Sequence, residues 1–89
     1  MKILKIEPQK FTDGTIAEDA YVVHLSNNTY IAVAKWGGTY GSSVYKNKEL
    51  DDLELYTGTI QATGFISLIA KIITKLEEHY ERKRQNGES

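Results

Sequence analysis

An amphipathic segment near the C-terminus constrains the fold of this chain more than any other feature. From about Ile60 or Gly64 to about Arg84, apolar side chains recur with the period of an α-helix. At roughly 100° per residue they occupy one arc of roughly 160°. The apolar residues on this arc are Phe65, Ile66, Leu68, Ile69, Ile72, Ile73, Leu76 and Tyr80. A stripe this wide exceeds the seam of a coiled coil and is typical of a helix that lies across a sheet.

Residues at both ends of this segment support a helix. Thr59 or Thr63 can cap its start, and Asn86-Gly87 supplies a stop. The basic residues 82–84 lie where the negative end of the helix dipole favours cations. The remaining residues, 85–89, are expected to form a disordered tail behind a single domain of residues 1–84.

The length of 89 residues is near the lower limit for one core without covalent support. Self-association into a homodimer is therefore expected to assist the fold. The chain contains no cysteine, which excludes disulfides and thiolate zinc sites and favours the cytoplasm. The longest apolar-rich stretch, residues 65–73, falls short of the roughly 20 residues of a membrane span. No membrane partner is expected.

The N-terminal half predicts β-structure. Pro8 is expected to close a first strand over residues 2–7. Asn27 and Asn28 suit a tight turn between the next two β-rich runs. Further strands are expected at 20–25, 30–36, 44–46 and 53–56. The predicted fold is α+β, with a small antiparallel sheet of three to five strands, a β-hairpin meander, packed by one long C-terminal helix.

The fifth strand and the sheet face that the helix covers each have two interpretations. Leu53 and Leu55 would point inward in a fifth strand, although Leu50 and Leu53 also fit a short helix. In the 20–25 strand, Tyr21 shares the more apolar face with Val23 and Leu25, while the small alanines of the 30–36 strand offer room for a helix. The sequence leaves open which sheet face the helix covers.

The segment from Trp36 to Ser43 places three glycines and two large aromatic residues together without a charge. Glycine allows close backbone approach, and aromatic side chains offer a large contact area with few bonds to immobilise. This pattern predicts a loop that contacts a protein partner. The expected partner-binding residues are Trp36, Gly38, Tyr40 and Tyr45, and a tight structural turn is the alternative interpretation.

Signals for catalysis, a metal or a cofactor are weak. His24 lies in a predicted strand and His79 at the margin of the helix stripe, and neither belongs to a known catalytic motif. The acidic residues Glu49, Asp51, Asp52 and Glu54 do not follow the spacing of a calcium loop and indicate a solvated turn. We therefore expect no enzyme, no catalytic residue, no metal site and no cofactor.

The leading hypothesis is a small intracellular protein-binding module of inhibitor or adaptor type. Small size without catalytic motifs is common among proteins that phages and mobile elements encode, and a viral origin follows as an expectation from size alone.

Two other ligands remain as hypotheses. A phosphate-bearing, nucleotide-like ligand would use the amides and hydroxyls of Gly37, Thr39 and Ser42 with Thr57 and Thr59. Single-stranded nucleic acid would use the lysines beside the aromatic residues of 35–48. Eleven Lys and Arg against twelve Asp and Glu give a net charge of −1, which argues against a dedicated nucleic-acid binder.

Overall fold

The computed structural model describes residues 1–11 and 13–85. Its strands are β1 (Ile3–Lys10), β2 (Ile16–Leu25), β3 (Tyr30–Trp36), β4 (Thr39–Tyr45) and β5 (Leu53–Ile60), and its helix is α1 (Phe65–Gln85). The strands form one antiparallel sheet in chain order, from β1 to β5. The α+β prediction, with a meander and one long C-terminal helix, is confirmed.

The core lies between α1 and one face of the sheet. Val23, Ile31 and Val44 occupy matched positions on β2, β3 and β4 and are fully buried. Leu68 and Ile72 of α1 pack in the same apolar cluster. The helix therefore covers the face that carries the larger β2 side chains. Ala32 and Ala34 of β3 point away from the helix, because side chains alternate along a strand.

The strands extend further than the sequence predicted. β1 continues past Pro8, which pairs with Tyr21. Proline is tolerated there because β1 is an edge strand, whose residues can leave the backbone nitrogen unpaired.

The Trp36–Ser43 segment is not an extended loop. Trp36 pairs with Thr39, so only Gly37 and Gly38 connect β3 to β4. Gly37 has a positive φ of 64°, which glycine adopts without strain in a two-residue hairpin turn. The Thr39 hydroxyl donates a hydrogen bond to the Trp36 carbonyl oxygen at 3.1 Å. Gly37 and Gly38 thus form a tight turn, and the expected strand at 44–46 begins at Thr39, while contact of this segment with a partner stays a prediction.

Residues 53–60 form a full strand, which excludes the short-helix alternative. The prediction that Leu53 and Leu55 both point inward is half wrong. Val44 pairs with Leu55, but Tyr45 pairs with Leu53, so the register shifts at Glu54. Leu55 packs against the core, whereas Leu53 is 50% exposed. The irregularity brings the Glu54 carboxylate toward α1 instead.

The observed helix differs from the prediction at its ends. Thr59 lies in β5 and cannot cap α1, which begins at Phe65 and has Gly64 at its N-cap position. Ile66 is 73% exposed, because the apolar arc is wider than the contact that the sheet offers in the first turn. Gln85, assigned to the predicted tail, is the last helical residue, and Asn86-Gly87 lies outside the described residues. Within the described ranges, no helix is long and apolar enough to cross a membrane.

Candidate functional site

The sheet face opposite α1 is the first candidate site, and we call it the open face. No helix or strand of residues 1–11 and 13–85 lies across it. Its side chains on the central strands follow from the register, in which Ala32 pairs with Ser43 and Ala34 with Gly41. Because these four residues are small, the surface that they form lies lower than that of their larger neighbours, and we call it the floor.

Two aromatic residues stand above this floor. Trp36 at the end of β3 is 75% exposed, and Tyr56 on β5 is 72% exposed. Together with Gly41, Ser43 and other residues of β4 and β5, they line a cleft of about 220 Å³. Such a pair offers a large apolar contact area that is already in place before a partner arrives.

A β-bulge on β5 lies directly after Tyr56 and places Gly58 beside its ring. Ser42 pairs with Gly58 and Ser43 with Tyr56, which leaves Thr57 as an extra residue on β5. Gly58 has a positive φ of 68°, and a Cβ there would lie 3.5 Å from the Tyr56 ring. The Tyr56 ring therefore lies over Gly58, along the strand, and borders the cleft that Trp36 borders on the other side.

The cleft continues across the open face as a groove. A second depression, of about 160 Å³, shares Trp36, Gly41 and Ser43 with the cleft and reaches Tyr45 and Gln9. A third, of about 580 Å³, shares Gln9 and lies between β1 and the β4–β5 loop. The first two depressions have no charged lining residue within the described chain.

Among the described residues, the charged side chains and the histidine that line the groove all lie in its third depression, on β1, on β2 and on the β4–β5 loop. His24 Nε2 is 2.8 Å from Glu7 Oε1, and Lys5 Nζ is 3.1 Å from the other carboxylate oxygen of Glu7. The hydrogen bond with His24, and then that with Lys5, lowers the pKa of Glu7. The His24 ring also meets the Tyr30 ring edge-on, with 4.9 Å between centroids. His24 is thus held by its neighbours.

The structure divides the expected partner-binding residues between the two faces. Trp36 and Tyr45 lie on the open face, and Gly38 lies in the turn beside them. Tyr40 points to the helix side, where it packs against the core. Sequence reasoning missed Tyr56, although period-2 alternation with an inward Leu55 indicates that Tyr56 points outward.

The residues of the phosphate hypothesis meet, but the hydroxyl groups of Thr39, Ser42 and Thr57 already have partners. The β4–β5 pairing brings Ser42 and Thr57 together, with 2.5 Å between their hydroxyl oxygens. Thr39 closes the hairpin turn, where Gly37 supplies the positive φ. Thr59 lines the uncharged cleft. Among the described residues no cation borders the cleft, so a phosphate group there would depend on backbone N–H groups and hydroxyls alone, and this ligand stays a prediction.

A second group of charges joins β5 to α1. Glu54 Oε2 accepts hydrogen bonds from His79 at 3.1 Å and from Lys83 at 3.0 Å, and the Glu54 side chain is only 9% exposed. Burial alone would raise the pKa of Glu54. The hydrogen bonds from Lys83 and His79 outweigh burial and lower it. This geometry is that of a structural ion pair.

The acidic turn after β4 is organised by an amide. The Asn47 side chain accepts hydrogen bonds from the backbone N–H groups of Asp51 and Asp52 and donates one to the Asp51 carboxylate. Glu54 points toward α1, away from Glu49 and the two aspartates of this turn. Over the part of the chain that the structure describes, no cluster of His, Cys, Asp or Glu could hold a metal ion.

Comparisons of the chain with protein-family models, with curated proteins and with solved structures give no match.

Proposed function

We propose that this protein is a non-catalytic protein-binding module that holds its partner on the open face. The observation that carries the proposal is the exposure of Trp36 and Tyr56 on both sides of a floor of glycine, alanine and serine. Buried aromatic anchors dominate the free energy of protein–protein binding, so these two residues are the expected anchors. Tyr45 and Gly38 border the same surface.

The charge of this surface favours a protein over a polyanion. Proteins that bind single-stranded nucleic acid combine stacking aromatic residues with a basic groove that follows the phosphates. Here the lining around Trp36 and Tyr56 is uncharged among the described residues, and the net charge is −1. A module of this kind acts by covering a partner's surface, as inhibitors and adaptors do.

The test is affinity capture from the native cell with the wild-type chain and with Trp36→Ala and Tyr56→Ala. Circular dichroism and thermal unfolding first establish that each variant is folded. We expect each substitution to weaken capture of the same protein by about 2 kcal/mol or more. The matched control is Ile66→Ala, which removes an equally exposed apolar side chain from α1 and should leave capture unchanged.

Two results would contradict the proposal. One is unchanged capture by both folded aromatic variants. The other is capture of nucleic acid that weakens steeply as salt is raised, which would favour the polyanion hypothesis instead. The expected homodimer stays a prediction, which sedimentation of the same samples tests.

A further inference from the structure

A separate cavity lies on the helix side of the sheet, beside the start of α1. Its volume is about 360 Å³, within the range of roughly 300–1,000 Å³ of small-molecule sites. We call it the aromatic pocket, and its lining residues are Ile6, Asp19, Tyr21, Lys35, Tyr40 and Phe65. It shares no lining residue with the groove of the open face and is independent of the function proposed above.

Half of the residues that line this pocket are aromatic. Tyr21 and Phe65 meet edge-on, with 5.5 Å between ring centroids and 69° between ring planes. Tyr40 and Phe65 also pack against the buried core, which holds their rings in place. Rings fixed in this way present a preformed surface for a flat apolar group.

Opposite charges line the same pocket without pairing. Ala20 with Ala34 is the last pair between β2 and β3, and Asp19 and Lys35 are the next residues beyond it, where opposite charges usually attract. Within the described residues, however, no ion pair joins them. Here a β-bulge sets one residue of β1, Gln9, opposite the four residues 17–20 of β2, and Asp19 adopts a positive φ of 54°. Bulges commonly re-aim side chains next to functional sites.

The N-terminal end of α1 adds a partial positive charge beside the aromatic pocket. The helix begins at Phe65, and its first turn contains no acidic residue. Its dipole is therefore not neutralised by its own side chains at this end. A ligand carboxylate would be favoured by Lys35 and by the helix, and a ligand ammonium group by Asp19.

We propose that the aromatic pocket binds a free aromatic amino acid. Its ring would lie among Tyr21, Tyr40 and Phe65, its carboxylate would meet Lys35, and its ammonium group would meet Asp19. Three aromatic walls with one cation and one anion match the chemistry of a zwitterion that carries a flat apolar side chain.

The experiment is a titration of the full chain with L-phenylalanine and with L-tryptophan, followed by backbone amide shifts in NMR spectra. We expect the largest shifts at residues that line the pocket. Three related probes lack recognised groups: L-alanine lacks the ring, 3-phenylpropionate lacks the ammonium group, and N-acetyl-L-phenylalaninamide lacks both charged groups. Each should bind more weakly than L-phenylalanine.

Two variants test the charges separately. Asp19→Asn removes the anion and keeps a residue that tolerates positive φ. Lys35→Met removes the cation and keeps an apolar side chain of similar length. Each should weaken L-phenylalanine binding by roughly tenfold or more. The matched control Glu18→Gln neutralises a neighbouring exposed carboxylate outside the pocket and should leave the affinity unchanged.

The proposal is overturned if neither amino acid shifts the pocket amides. It is also overturned if the uncharged probe binds as tightly as L-phenylalanine, or if Asp19→Asn and Lys35→Met both keep wild-type affinity. Trp36→Ala should leave amino-acid binding intact, so the result is independent of the test of the open face.

Discussion

The Lys83 ammonium nitrogen lies 3.0 Å from Oε2 of Glu54 and joins the end of α1 to β5. The same oxygen accepts a hydrogen bond from His79, one helical turn earlier. The contact depends on the register shift that turns Glu54 toward the helix and Leu53 away from it. An irregular point in β5 thus supplies the polar attachment of the helix, while the apolar core supplies the rest.

Substitution of Glu54 should reduce the dependence of the free energy of unfolding on pH in the acidic range. The pKa of Glu54 is lowered from its ordinary value of 4.5 in the fold, so its stabilisation is present above that value. The stabilisation is lost as the pH falls through the lowered pKa. Glu54→Gln should therefore reduce the free energy of unfolding at pH 7 by about 1–3 kcal/mol. The difference from wild type should shrink in acid, which urea unfolding at several pH values measures.

A matched control for this experiment is Glu78→Gln. Glu78 and Arg82 form an exposed pair at 3.8 Å on α1, and such pairs contribute about 0–1 kcal/mol. Glu78→Gln could instead lower the free energy of unfolding at pH 7 as much as Glu54→Gln does. The burial of Glu54 would then not explain the stability that this residue contributes.

Substitution by alanine should have very different effects on stability at two isoleucines of α1. Ile72 is fully buried against the sheet, whereas Ile66 projects into solvent. Ile72→Ala removes buried methyl groups and leaves a cavity, so it should cost about 2–5 kcal/mol and is expected to unfold most of the protein. Ile66→Ala should change stability by less than about 0.5 kcal/mol. Thermal unfolding monitored by circular dichroism compares the two, and similar losses would contradict the assignment of the buried face.

The general architecture could be predicted because it depends on periodic patterns. The apolar stripe of the helix and the alternation of β2 and β3 each involve many residues. One residue that departs from the pattern therefore does not change the predicted element. The placement of Trp36 and Tyr40 depends instead on the length of a single turn. With only Gly37 and Gly38 between the strands, β4 begins at Thr39, and alternation sends Tyr40 to the helix side and leaves Trp36 on the other.

Bulges account for the remaining differences. The irregularities at Glu54, at Thr57 and near Asp19 each shift which residues face the helix. Gly58 is a local signal for the one at Thr57, because a glycine inside a strand often marks a bulge. Asp19 and Leu50 adopt positive φ without being glycine, which propensity alone would not predict. The position of Gly58 beside the Tyr56 ring depends on the irregularity at Thr57, and the aromatic pocket depends on the one near Asp19. The direction of Asp19 was therefore harder to predict than the choice of Trp36 and Tyr45, which the aromatic pattern of the sequence already indicated.

The bulge on β5 makes Gly58 the most informative glycine for a stability test. Its φ of 68° lies in the left-handed region, which costs other residues about 1–2 kcal/mol. The space itself is adequate, because an added Cβ would make an ordinary contact of 3.5 Å with Tyr56. Gly58→Ala should therefore lower the free energy of unfolding by about 1–2 kcal/mol through backbone strain. Urea unfolding measures this change.

Gly41→Ala is the matched control, because the same methyl group is added on the neighbouring strand without a positive φ. Nothing lies within 4 Å of the added Cβ, and alanine loses less backbone freedom on folding than glycine. This variant should be as stable as wild type or more stable, by up to about 1 kcal/mol. Its methyl group would nevertheless fill the floor between Trp36 and Tyr56, so partner capture should weaken while stability does not. A loss of stability equal to that of Gly58→Ala would show that the left-handed backbone of Gly58 is not what distinguishes the two positions.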